Sequence, residues 1–158
     1  MFKLLGVEEV RKFIEKYGVK AEILEFENTV ETVSTASKAS GYPERRILKT
    51  LIVFADEKPY VAIVRGDRKL SFKEFAKAVG ARKVRLAKIN EVQNIVGVKP
   101  GEVSPLLENI LKLSVVLDNS VLEEKTVLVG GGSLNHLVKI DVNELIRILN
   151  PKIAKITV

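Results

Sequence analysis

Three features of the sequence carry groups that could do chemistry: a lysine inside an apolar run, a triple glycine and a lone histidine. Lys49 lies within Ile47-Leu48-Lys49-Thr50-Leu51-Ile52-Val53-Phe54, a run whose length and β-branched content predict a core strand. Strand side chains alternate, so Lys49 is expected in one row with Ile47, Leu51 and Val53. An ammonium in such a row either snorkels outward from an edge strand or stands at the mouth of a pocket. Gly130-Gly131-Gly132-Ser133 is followed by Leu134-Asn135-His136, so the Lys and Ser or Thr of a Walker loop are missing. Three glycines between strands can still bring backbone amides close to an oxyanion, or simply form a flexible hairpin turn. His136 alone reads as readily as a structural hydrogen-bonding residue as a catalytic one. Asp118 ends an apolar run, where a carboxylate commonly caps a turn.

Composition removes several alternatives. The 158 residues contain no cysteine and one histidine, which leaves no disulfide framework, cysteine nucleophile or multi-histidine metal site. No paired acids or metal-ligand spacing is visible, so no metal, no cofactor and no protein general base is expected. The Met1–Val7 stretch is too short and too soon charged for a signal sequence, and no apolar run approaches membrane-spanning length. A cytoplasmic protein with no membrane partner is the expectation. The net charge of +6 is unevenly distributed: Arg65 to Lys88 holds nine basic residues against two acids, whereas Gly101 to Asn150 holds four against seven. Such a basic segment suggests a face for a polyanion, with Arg65, Arg68, Lys69, Lys73, Arg82 and Lys83 as candidate contacts, or else a solvated surface.

The elements that must position these groups follow from periodicity and stop signals. A helix is expected from about Gly6 to Tyr17, and a strand over Lys20–Phe26. Thr32 or Ser34 can cap a short helix through Ala39, ended by Gly41-Tyr42-Pro43. The Lys49 run and Tyr60–Val64 flank a turn at Asp56–Pro59 and predict a hairpin. Ser71 opens a helix over Phe72–Val79 closed by Gly80. Val84–Leu86 reads as a short strand, Ile89–Val96 as a helix, and Val98–Pro105 as a constrained loop. Val115–Asp118, Thr126–Val129 and Leu137–Ile140 read as strands, Asp141 caps a last helix, and Ile153–Val158 closes as a short strand or packs loosely. The irregular mixture predicts one α+β domain over residues 1–158, with a mixed, mostly antiparallel, curved sheet and surrounding helices.

Taken in order, these segments resemble the YbaK-type family of aminoacyl-tRNA deacylases, which includes the editing insertion domain of bacterial-type prolyl-tRNA synthetases. The resemblance runs from about Thr32 to Leu149. It rests on Thr32–Gly41 with Arg46–Leu51, on Val61–Asp67 with the Ser71 helix and Gly80, on Gly101–Pro105 as a GxxxP loop, and on Val116–Asp118 with Gly130–Gly132 and His136. Leu106-Leu107 stands where many bacterial relatives have glycine, and Ser34 and Thr35 where alanine and acidic residues are common. These departures bear on substrate preference more than on reaction type.

The resemblance implies hydrolysis of the ester between a wrong amino acid and the 3′ end of a tRNA. It implies a free-standing, trans-acting member, and tRNA for proline carrying a wrong small amino acid as the expected substrate. Lys49 takes the place of the family's essential lysine. Gly101, Ser104 and Pro105 would face the aminoacyl end, Gly130, Gly131, Gly132 and His136 would shape the side-chain pocket, and Thr32, Thr50 and Asp118 complete the implied substrate-binding set. The basic stretch becomes a tRNA track, and prolyl-tRNA synthetase a candidate partner. A non-catalytic tRNA- or synthetase-binding module on the same fold is the alternative.

Overall fold

The computed structural model describes residues 5–158, so the reading of Met1–Val7 lies in part outside the described residues. Helix α1 (Val7–Tyr17) starts where the Glu9 carboxylate accepts from the Gly6 amide at 2.9 Å, and ends at Gly18. Strand β1 (Ala21–Glu25) leads to α2 (Val33–Ser40). Thr32 is the cap of α2: its Oγ1 accepts from the Thr35 amide at 3.0 Å, and Thr35 Oγ1 accepts from the Thr32 amide at 3.1 Å. The two threonines thus share the reciprocal arrangement usually built with a glutamate.

A short 3₁₀ turn (Glu44–Arg46) feeds β2 (Leu48–Ala55), which folds back as β3 (Lys58–Arg65). Asp56 and Glu57 both have positive φ, as a tight two-residue hairpin requires. The Asp56 carboxylate accepts from the Arg82 and Lys83 amides, anchoring the strained turn. Then come α3 (Phe72–Val79), β4 (Val84–Leu86) and α4 (Ile89–Val96), all with the expected bounds. The chain ends with α5 (Glu108–Leu111), β5 (Ser114–Asp118), β6 (Thr126–Gly130), β7 (His136–Asp141), α6 (Val142–Leu149) and β8 (Lys152–Ala154). Asp141 is the N-cap residue of α6, but its carboxylate accepts from Thr126 Oγ1 at 2.9 Å instead of from the helix amides.

The mixed, mostly antiparallel sheet divides in two. One sheet has the order β1-β7-β6, antiparallel throughout. The other has the order β4-β2-β3-β5-β8, with β3–β5 and β5–β8 parallel. A parallel bridge between Ile47 and Leu128 joins them. Leu48 and Ile52 face the main core with Val61, Ile63 and Leu117, while Val53, Ala55, Ala62 and Val64 face a second core with Phe75 and Ile156. The expectation that Ile47 shares the row of Lys49 is corrected here. Ile47 precedes the strand, turns toward the other sheet, and packs with Leu128, Leu137, Val30 and Ala36.

The C-terminal residues form a strap rather than a loose end. Asp118 is fully buried, and its carboxylate accepts from the Ile156 amide (2.8 Å), Thr157 Oγ1 (3.1 Å), the Ser120 amide (3.2 Å) and the Ser120 hydroxyl. Beyond that clasp, the Ser71 amide donates to the Ile156 carbonyl and the Val158 amide to the Lys69 carbonyl, with Thr157 bridging Leu70. Removing the carboxylate orphans several buried donors at once. We predict that Asp118→Ala lowers stability by about 3 kcal/mol, a fall in Tm of about 10 °C. Thermal unfolding followed by circular dichroism checks it; an unchanged Tm would exclude the clasp.

Candidate active site

Strand β4 pairs β2 only at Val53–Ala55, so the Leu48–Leu51 end of β2 has no strand beside it on that side. Here a cleft of about 320 Å³ opens between the two sheets. Its walls come from Ile47–Leu51, from Val30–Val33 leading into α2, from Pro100, Gly101 and Val103, and from Gly130, Ser133, His136 and Leu137. An open strand edge lets successive residues of β2 reach the same space, which is why both Lys49 and Thr50 line it.

Lys49 Nζ donates to the Arg68 carbonyl at 2.7 Å. Partial burial pushes its pKa below the usual lysine value, against the opposing pull of the Asp67 and Glu44 carboxylates. The turn that supplies this carbonyl is fixed by Gly66. Its amide donates to the Ile47 carbonyl at 2.7 Å, and a Cβ at Gly66 would lie 2.6 Å from the Glu44 carbonyl oxygen. No larger residue fits there. Thr50 Oγ1 is buried and makes no hydrogen bond to any described residue. A buried hydroxyl in that condition is the kind of group that a polar ligand satisfies.

His136 opens β7 opposite Glu25, with Nδ1 2.6 Å from Ser133 Oγ and Nε2 3.8 Å from the Glu25 carboxylate. Ser133 Oγ also lies 3.0 Å from Asn135 Oδ1. When the serine donates to Asn135, Nδ1 is the donor and the ring lone pair falls on Nε2; when it donates to Nδ1, the tautomer reverses. Asn135 is itself tied to Phe26 through Nδ2 (3.1 Å) and through its carbonyl (2.9 Å), which holds the 131–135 loop in place.

The expected site residues separate into two groups. Lys49, Thr32, Thr50, Gly101, Gly130 and His136 line the cleft. Gly130 is required by close approach, because a Cβ there would overlap the Val103 carbonyl oxygen. Gly131 backs directly onto His136, and Gly132, at φ +91°, onto Gly6 and Val10, so both support the loop from behind. Ser104 and Pro105 are buried beneath the loop, where Ser104 Oγ accepts from the Leu106 amide at 3.1 Å. Asp118 lies apart from the cleft in the C-terminal clasp. Sequence reasoning passed over Glu31, Ser133 and Val103; the only signals were proximity to Thr32, to the glycine run and to Gly101.

The basic stretch is corrected at Arg65. That guanidinium is 7% exposed and holds Asp67 and Glu123, each at 2.6 Å, so it is an internal ion-pair hub and presents no charge to a polyanion. Arg68, Lys69, Lys73, Arg82 and Lys83 are exposed. They do not form one track beside the cleft. Arg68 and Lys69 sit on the turn against Lys49, whereas Arg82 and Lys83 sit at the hairpin end of β2, roughly 20 Å away at ~3.3 Å per residue.

Among the described residues no helix is long and apolar enough to cross a membrane. A family model described as an aminoacyl-tRNA editing domain matches residues 27–148. A proline–tRNA ligase of Anaeromyxobacter dehalogenans is 34% identical over 115 residues, which cover 72% of this chain and 19% of the ligase. The chain therefore spans about a fifth of the length of the curated relatives that it matches. The crystal structure of a hypothetical protein superposes with a TM-score of 0.86 at 30% identity, covering 95% of this chain and 99% of the other. The structure of a proposed trans-editing enzyme for prolyl tRNA synthetase gives a TM-score of 0.89 at 24% identity over 96% of each chain, a likeness of fold. With the editing-domain match running from the segment before α2 into α6, and so through every wall of the cleft, the chain belongs to the aminoacyl-tRNA editing domain family.

Proposed function

We propose that this protein hydrolyses the ester bond of mischarged aminoacyl-tRNA, acting in trans on tRNA for proline that carries a wrong small amino acid. The observation that carries the reading is Lys49, held on a main-chain carbonyl in a cleft that Gly101, Gly130 and the Thr50 hydroxyl, unbonded among the described residues, also line. Support for action in trans comes from the likeness of fold to the proposed trans-editing enzyme. Support for the proline system comes from that structure and from the proline–tRNA ligases among the relatives.

In this reading water adds to the ester carbonyl carbon, the bond from that carbon to the ribose oxygen breaks, and the water's proton ends on the ribose. Free amino acid and intact tRNA leave. Lys49 stabilises negative charge on the ester oxygen or holds the phosphate of the terminal adenosine. Thr50 Oγ1 supplies a hydrogen bond to the sugar or the ester. The water is positioned with help from the neighbouring ribose hydroxyl of the substrate, which makes the step largely one of orientation. A second sieve suits the chemistry, because a binding pocket separates side chains differing by one methylene by only about 1–3 kcal/mol.

Two outcomes test this. Incubated with alanyl-, cysteinyl- and seryl-tRNA for proline, the wild type should release at least one amino acid, and Lys49→Ala should slow release by about 100-fold or more with an unchanged Tm. Binding without any hydrolysis across the panel would instead mark a non-catalytic tRNA-binding module. For the nucleic-acid face, Arg68→Ala and Lys69→Ala should each weaken tRNA binding and lower the slope of log K against log salt by about 0.7–0.9. Arg65→Ala should leave that slope intact and lower the Tm, because the buried guanidinium is already paired with Asp67 and Glu123.

A further inference from the structure

Glu31 is the one carboxylate among the residues lining the cleft. It lies between Val30, buried in the small core with Ile47 and Leu128, and Thr32, the cap of α2, so the backbone is fixed on both sides. Its side chain runs along Gly101. A Cβ built on that glycine would fall 2.7 Å from Glu31 Oε2 and 3.5 Å from Glu31 Cβ. The absence of a side chain at Gly101 is what seats the carboxylate against the Pro100–Glu102 turn. Among the described residues no lysine, arginine or histidine forms a salt bridge with it. The cleft therefore carries a cation on β2 and an anion on the segment facing Gly101.

We infer that Glu31 binds the α-ammonium group of the substrate, so that the cleft selects esters of free amino acids over esters whose amine is acylated. The inference rests on the deacylase reading and adds a specificity determinant to it. An aminoacyl ester carries its amine on the carbon next to the reacting carbonyl. A carboxylate there forms a charge-assisted hydrogen bond, stronger than a neutral one, while Lys49 meets the anionic side of the same ester. The bond fixes the carbonyl relative to the ribose whatever the amino-acid side chain. N-acylation removes the charge and places an acyl group where the carboxylate sits. Glu31 is exposed at the cleft mouth and contributes nothing to the core, so its substitution spares the fold.

The test compares the best-cleaved member of the tRNA panel with the same aminoacyl-tRNA after N-acetylation. The wild type should prefer the free amine in kcat/KM. Glu31→Gln, of the same size and without the charge, should reduce the ratio of the two kcat/KM values by about tenfold, equivalent to ~1.4 kcal/mol. Gly101→Ala, whose new methyl group displaces only the carboxylate tip, should reduce the same ratio. Lys49→Ala should slow both substrates and leave the ratio standing. An active wild type whose preference survives in Glu31→Gln would overturn the inference and leave the deacylase reading intact. A wild type that cleaves no ester overturns both.

Discussion

The cleft depends on how two sheets meet. The antiparallel β1-β7-β6 sheet and the mixed five-stranded sheet are joined through the parallel bridge from Ile47 to Leu128, where the chain has just left a 3₁₀ turn and not yet entered β2. One bridge cannot lay the sheets flush, so they diverge and a wedge of space remains beside the first half of β2. The wedge stays open because β4 stops at Val53 and because the loop through Val103 presses on Gly130 from the other side. A strand edge with unpaired backbone is ordinarily a liability. Here it faces a walled cleft, where its polar groups and the adjacent side chains are available to a ligand.

Charge in the cleft is arranged from behind. The Arg65 guanidinium holds the Asp67 carboxyl below the usual carboxylate range, chiefly by hydrogen bonding, and so keeps Asp67 ionised. Ionised Asp67 in turn opposes the desolvation that lowers the Lys49 pKa. A buried arginine thereby helps to keep the cleft lysine charged. The two basic residues differ in role because one is enclosed by acids and the other reaches into open space.

The sequence made much of this legible. The Thr32 and Ser71 caps, the glycine stops, the Asp56 hairpin and the strands that carry Lys49 and His136 are local signals, and they appear where the residues imply. For Gly130, close approach was one of the two readings that the glycine run offered, although what approaches it was not legible. What escaped was non-local. Nothing in the neighbourhood of Asp118 announces that Ile156 and Thr157, almost forty positions on, will claim its carboxylate. Arg65 looked like the start of a basic tract because its acidic partners Glu123 and Glu124 lie far away in the chain. The split into two sheets was equally hidden, since Ile47 and Leu48 look like one continuous run.

The grip on Lys49 is made by the main chain at position 68, and any residue there would present the same oxygen. Side-chain identity at that position is therefore irrelevant to the lysine's orientation; the path of the backbone is everything. That path is set by Gly66 on one side and by the strap at Leu70–Ser71 on the other, which hangs from Asp118 through Ile156 and Thr157. The strap lies beyond residue 148, outside the span shared with the family model. A position-by-position comparison across that span sees the lysine and position 68 but not the C-terminal strap behind them, so two chains with identical cleft residues can differ in how firmly the ammonium is aimed.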